Sequence, residues 1–427
     1  MRTADLLMLG ASQVVTVSGG RAGPARGPKA MNRLGVIEDG ALAITRGRIV
    51  GIGTSNEITK QFRGTRRLFC RGRTLLPGFV DPHTHPVFAN WREGEFALRA
   101  RGADYEEILA AGGGIHASAA ATRAASLGDL IEGVQRRLDR FLLHGTTLIE
   151  GKSGYGLTHV SEMRSLRALG RAARDHPVDV VRTFLGAHVV PKEWEADRAG
   201  YVREITDRML PEVAAKKLAE FCDVFVERGA FTVEEATTIL RAARRLGLRA
   251  KVHADQFRDG GGALLAARMK AVSVEHVDAT RRPGILALRR AGVVPVLLPT
   301  ASIFTGLRQL PSGRKLIDAG LPVALATDFN PGTSPTENQM LVASMACALL
   351  GMTPEEAIVG ITRNAAAAIG RSDTHGQIAV GRRADLVVLD APSYTFLPYR
   401  MGTNLVHAVL VGGRVVARRG RLVKSQA

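Results

Sequence analysis

The 427-residue chain has only three cysteines, Cys70, Cys222 and Cys347, far apart in sequence. An odd number at such spacings builds neither a disulfide framework nor a zinc knuckle, so buried free thiols are expected. Aromatic residues are scarce too, at 5%. Single-stranded nucleic acid is held on interleaved stacking rings, and no such stretch is present. Acidic residues number 40 against 58 lysines and arginines, a formal net charge of +18. That excess invites a nucleic-acid partner, but the arginines are spread through helix-like stretches such as RSLRALGRAARD and ILRAARRLGLRAK and read as solvated helix faces. No specific nucleic-acid partner is therefore expected, while the charge suits long-range attraction of a small anionic substrate. No apolar run reaches membrane-spanning length, which leaves no membrane partner. The opening MRTADLLMLGASQVVTVSGG lacks a continuous apolar segment followed by a small-residue cleavage site, so a cytoplasmic location is expected. The oligomeric state stays open, with a homodimer compatible.

What is present is an ordinary globular composition, 45% hydrophobic and 23% charged. The length favours one large domain with a smaller companion. Short β-branched runs alternate with helical patterns: GFVDPHTH, TTLIEGK, VVRTFLGAH, DVFVERG, RAKVHADQ, AVSVEHV, VVPVLLPT and PVALATDFN. Helix starts are readable where Thr232 precedes Glu235 and where Thr353 precedes Pro354 and Glu356, and Gly247 sits where a helix ends. Eight strands with covering helices close most economically into a (β/α)₈ TIM-like barrel, spanning 77–375. An open doubly wound sheet would carry a glycine-rich turn after its first strand, and GGGI at 112–115 lacks that spacing. Residues 1–76 and 376–427 hold short alternating strands punctuated by glycine, which predicts one small β-sandwich domain built from both termini.

The first barrel strand ends in His83 and His85. Residues at i and i+2 of an extended segment share a face, so both imidazoles can address one point. Alone, such a pair supplies half a tetrahedral shell. The C-terminal ends of barrel strands converge at one mouth, and His188, His253, His276 and Asp328 also fall at expected strand ends. His253 by itself would read as a satisfied interior histidine and Asp328 as a turn residue. Together with His83 and His85 they make three nitrogens and a carboxylate, a shell for zinc or a similar divalent ion. No cysteine sits at a strand end nearby, which excludes a thiolate site.

The segments DPHTHPVFANWREGEF, YEEILAAGGGI, EGKSGYGL, LGAHVVP, HADQ and ATDFNPGTSP resemble the metal-dependent amidohydrolase superfamily over nearly the whole chain. KSGYGL and DFNPGTSP are most similar to its members that hydrolyse 4-imidazolone-5-propanoate to N-formimidoyl-L-glutamate in histidine degradation. The resemblance implies that reaction, with one zinc or iron ion on His83, His85, His253 and Asp328. It also implies substrate contacts from Arg92, Tyr155, His188, Gln256, Asn330, Gly332 and Thr333. Chemistry is consistent with these roles: a divalent ion activates water, Asp328 takes its proton and His276 holds or relays it. His188 would meet the oxyanion or the ring, and Arg92 would clamp the propanoate carboxylate beside the Tyr155 hydroxyl. Related deaminases carry glutamate three residues after the strand-five histidine, whereas this chain has Gln256, which cannot ionise. Two-metal relatives need a bridging lysine on strand four, and DVFVERG offers none. Glu150 and Lys152 are expected to be structural or to support the groups that touch metal and substrate, with no part in the chemistry.

Overall fold

A computed structural model describes residues 1–19, 23–102, 113–307 and 310–423. The stretch YEEILAAG, 105–112, lies outside them. Five strands come first: β1 (Arg2–Val15), β2 (Val36–Thr45), β3 (Arg48–Thr54), β4 (Phe62–Phe69) and β5 (Thr74–Pro77). Eight parallel strands follow: β6 (Phe79–Thr84), β7 (Thr146–Lys152), β8 (Asp179–Ala187), β9 (Phe221–Val226), β10 (Arg249–Ala254), β11 (Ser273–His276), β12 (Val294–Leu297) and β13 (Ala324–Leu325). The chain ends in β14 (Leu386–Leu389), β15 (Val406–Val411), β16 (Arg414–Arg418) and β17 (Arg421–Leu422).

All eight expected barrel strands are present in sequence order around the sheet. β7 is buried along its whole length, as a parallel strand covered on both faces must be. The circle closes where β6 meets the segment after β13: Thr84 bridges Phe329, and the His85 amide donates to the Phe329 carbonyl at 2.8 Å. Below that seam Asp81 accepts from the Thr327 amide and hydroxyl at 3.2 and 2.6 Å. Outer helices start where the sequence places them. Thr232 and Glu235 form a reciprocal capping box on the helix Val233–Arg245, Gly247 follows its end at φ 84°, and Thr353 with Glu356 caps Pro354–Gly360.

The two chain ends join through β14, which pairs antiparallel with β5 and β15 in one nine-stranded sheet. Strand alternation gives it two apolar faces. Leu6, Met8, Leu42, Ile44, Leu386 and Leu410 pack on one, while Leu7, Leu9, Ala43 and Phe62 meet Ile58 of the helix Ser55–Gln61 on the other. The three cysteines are free thiols. Among the described residues no helix is long and apolar enough to cross a membrane.

Candidate active site

The strand ends bring the expected residues to one mouth. His83 is the next-to-last residue of β6 and His85 follows the strand; His253 lies in β10, His276 ends β11, and Asp328 follows β13. Backbone strain is concentrated here. His276 and Asp328 adopt left-handed φ values of 69° and 53°, which non-glycine residues hold only when their surroundings enforce it. At His276 the reversal turns the imidazole inward although Glu275, its chain neighbour, also faces the barrel interior.

His83 Nε2 and His85 Nε2 lie 3.2 Å apart, and each is 3.3–3.4 Å from Asp328 Oδ1. His253 packs against His83 at a ring separation of 4.4 Å, and His276 joins the same group. Burial keeps these imidazoles neutral: it lowers His85 to about 3 and His276 to about 4, and holds His83 and His253 well below the usual histidine range. Burial also raises the Asp328 carboxyl to about 6, while His276 opposes that rise. Several lone pairs therefore converge without protons to separate them, and His253 Nε2 is buried without a hydrogen-bond partner. The vertices of a tetrahedral shell with bonds of about 2.1 Å lie roughly 3.4 Å apart. His83, His85 and Asp328 fit a divalent cation in spacing, donor type and protonation state, and His253, grouped with His83 and His276, stands next to them.

A cavity of about 500 Å³ opens over this cluster. Arg92, Tyr155, His188, Gln256, Asn330 and Thr333 line it together with His85, His253, His276 and Asp328. His83 lies behind them, fully buried, and Gly332 sits beneath the Arg92 side chain. His188 stacks on His85 with ring centroids 5.3 Å apart, and its Nδ1 meets the Gly154 carbonyl at 3.0 Å. A carbonyl only accepts, so that nitrogen carries the proton. Asn330 is largely committed to its own turn. Its Oδ1 accepts from the Gly332 and Thr333 amides at 2.9 and 2.7 Å, and its amide donates to the Asp328 carbonyl at 2.6 Å.

Two features were not foreseen in the sequence. Glu95, one turn after Arg92, places Oε1 3.3 Å from Arg92 Nε and accepts from the Gly114 amide at 2.7 Å. Beneath the histidines lies a layer of fully buried charge: Glu150, Lys152, Asp223, Lys251 and Glu275. Lys152 contacts Glu150 and Asp223 at 2.9 and 2.7 Å, and Lys251 contacts Glu150 and Glu275 at 2.8 and 3.2 Å. Burial opposes the Lys152 charge, but Asp223, Glu150 and Glu275 outweigh it and raise its pKa. Glu150 and Lys152 thus take the structural place expected of them. The available signal was alternation. In strands otherwise apolar on both faces, Asp223 precedes the cavity-lining Phe225 by two residues, and Lys251 precedes His253 by two.

A (β/α)₈ barrel with three imidazoles and a carboxylate gathered at its C-terminal mouth defines a hydrolase that works through a divalent cation. The sequence matches the amidohydrolase family over residues 74–416. The imidazolonepropionase of Geobacillus sp. (strain WCH70) is 47% identical over 421 residues, covering 98% of this chain and 99% of that relative. The imidazolonepropionase of Symbiobacterium thermophilum is 45% identical over 426 residues, covering 99% of each. Among solved structures, an adenosine deaminase from Xanthomonas campestris with bound zinc superposes with a TM-score of 0.74 at 17% identity, covering 100% of this chain and 95% of that one. The guanine deaminase of E. coli gives 0.74 and 17%, covering 97% and 99%. At that identity the deaminases share the fold. The chain belongs to the amidohydrolase family and, within it, to the imidazolonepropionases.

Proposed function

We infer that the mouth of the barrel, carried on residues 77–375 with 1–76 and 376–427 as a companion β domain, hydrolyses 4-imidazolone-5-propanoate to N-formimidoyl-L-glutamate. The observation that carries this reading is the shared cavity: His85, His253 and Asp328 line it with His83 directly behind them, and Arg92 lines it too. A carboxylate-bearing heterocycle needs both ends.

His83, His85 and His253 with Asp328 would hold one ion, zinc or iron. A divalent ion there lowers the pKa of bound water to roughly 7 and polarises the ring carbonyl. The chain's own groups handle protons and orientation. Water adds its oxygen to the carbonyl carbon, the ring C–N bond breaks, and the departing nitrogen gains a proton. Asp328 takes that proton from water and returns it, with His276 within reach to hold or relay it. His188, protonated at Nδ1 against Gly154, presents a lone pair at Nε2. The role that fits is acceptance of a ring N–H, not donation to an oxyanion. Arg92 clamps the propanoate carboxylate, with the Tyr155 hydroxyl and Thr333 beside it. Gln256 hydrogen-bonds the ring and moves no proton.

The rival reading is an aminohydrolase acting on a purine, which the shared fold of the two deaminases suggests. The test is to incubate the metal-loaded protein with freshly generated 4-imidazolone-5-propanoate, follow the ring chromophore, and assay ammonia in parallel with guanine and adenosine. Loss of the chromophore without ammonia is expected. Ammonia from a purine with an intact imidazolone ring would overturn the reading. Full ring hydrolysis in a demonstrably metal-free sample would overturn the ion's role.

A further inference from the structure

Asp223 is a fully buried carboxylate on β9, a strand that contributes no residue to the proposed ligand set. Among the described residues its carboxylate meets His253 and the Lys152 ammonium. Oδ1 accepts from the His253 backbone amide at 3.2 Å, and Oδ2 lies 2.9 Å from His253 Nδ1. The Lys152 ammonium donates to the same Oδ2 at 2.7 Å. Register explains the aim. Asp223 pairs with Lys251 and Phe225 pairs with His253, so the carboxylate sits one layer below the imidazole and reaches up to it.

From this geometry we propose that Asp223, held by Lys152, is the positioning residue for His253. Its carboxylate beside Nδ1 keeps the proton on that nitrogen, restrains the ring's rotation and leaves the Nε2 lone pair for a ligand. A neutral imidazole ligates through one nitrogen only when the other carries its proton, and a carboxylate at that second nitrogen selects the tautomer and strengthens the donor. The two His253 nitrogens differ in what stands beside them: Nδ1 has the Asp223 carboxylate at 2.9 Å, whereas Nε2, buried and without a hydrogen-bond partner among the described residues, is the end left for a ligand. Lys152 gives the arrangement its stability. An unpaired buried carboxylate would be expelled or protonated, whereas Asp223 has a cation at 2.7 Å that also touches Glu150. The second lysine braces the other arm of the site: Lys251 donates to the Pro82 carbonyl at 3.1 Å, immediately before His83. The buried charged layer thus supports both the His83 strand and the His253 ring.

This inference rests on the reading of His253 as a ligand, and the experiment separates the two. Zinc affinity is measured by chelator competition on the full chain for the parent, His253→Ala and Asp223→Asn. Cobalt-loaded samples are compared by visible absorption, and thermal midpoints are recorded with and without metal. Asp223→Asn keeps the shape and loses the charge. It is expected to weaken zinc binding roughly 10- to 100-fold, to alter the cobalt spectrum, and to shrink the rise in midpoint that metal produces. A merely structural role would lower the metal-free and metal-loaded midpoints together and leave affinity and spectrum unmoved. Should Asp223→Asn not fold, the pair Lys152→Gln with Asp223→Asn removes both charges at once, while Glu150 retains Lys251 at 2.8 Å. The same loss of affinity is expected there. Unchanged zinc affinity in the asparagine variant, alongside loss in His253→Ala, overturns the role of Asp223. Unchanged affinity in His253→Ala overturns the ligand reading and this inference with it.

Discussion

The Arg92 guanidinium lies directly across Gly332. A Cβ built on Gly332 would fall inside the van der Waals envelope of the Arg92 side chain from Nε to Nη2. Glu95 holds the same guanidinium from the other side through Nε. The arginine is therefore packed into one orientation before any substrate arrives, and the absence of a side chain at 332 is part of that packing.

Gly332→Ala should displace Arg92 and raise KM about 10- to 100-fold, the loss expected when charge-assisted hydrogen bonds to a carboxylate are misaligned. Metal content should stay at the parental value. Arg92→Lys keeps the charge, loses the planar fork and should fall in the same range. In the Arg92→Lys background the alanine should cost little more, because its harm acts through the guanidinium. Steady-state kinetics on the four proteins test this. Fully additive losses would show that Gly332 acts elsewhere.

Much of this was legible in the sequence, for local reasons. Strands buried on both faces appear as short apolar runs, and capping boxes are complete within four residues, as at Thr232 and Glu235. His83 and His85 declare a shared face through their spacing alone. The buried charged layer was not legible because, apart from Lys152 with Glu150 on β7, its partners are distant in sequence and on different strands. Lys152 finds Asp223 71 positions away, and Lys251 finds the Pro82 carbonyl at 169. Asn330 was expected at the substrate, but its Oδ1 is consumed by the Gly332 and Thr333 amides within its own turn. Motif resemblance places such a residue without revealing which of its atoms are already engaged.

His375 ties the two sheets together and should give stability a pH dependence. Its Nε2 lies 3.2 Å from Asp179 in β8 and 3.3 Å from Asp385 beside β14. Arg383 contacts the same two carboxylates at 2.5 and 2.8 Å, so two cations face two anions when His375 is protonated. Burial disfavours the imidazolium, but hydrogen bonds it donates to the Asp179 and Asp385 carboxylates outweigh that and raise the pKa. A raised folded-state pKa contributes stability that is fully present below the unfolded value of about 6.5 and is lost as pH rises through the folded value. The thermal midpoint should therefore decline across that interval, and His375→Gln should flatten the decline. Unfolding scans of both proteins at matched metal saturation decide it. Parallel curves would remove His375 from the account.

In the proposed mechanism Gln256 is the position that separates ring hydrolysis from deamination. It lines the cavity, mostly buried, and the next residue is anchored where the Phe257 amide donates to Glu227 at 3.0 Å. That anchor fixes the loop whichever side chain stands at 256. A deaminase needs an ionisable group there to carry protons to a departing amine; ring opening by the Asp328 route does not. Gln256→Glu should therefore retain ring hydrolysis, with kcat/KM lowered only about 3- to 10-fold for one lost amide donor. Its pH profile should show no new limb in the carboxylate range. Ammonia release from guanine or adenosine should stay at background in both proteins, because the proposed carboxylate clamp at Arg92, which lines the cavity, has no partner on a purine. Two results would count against this: collapse of ring opening in the glutamate variant, which would give Gln256 a part in the chemistry, or ammonia appearing from a purine, which would make the position the remnant of a deaminase shuttle.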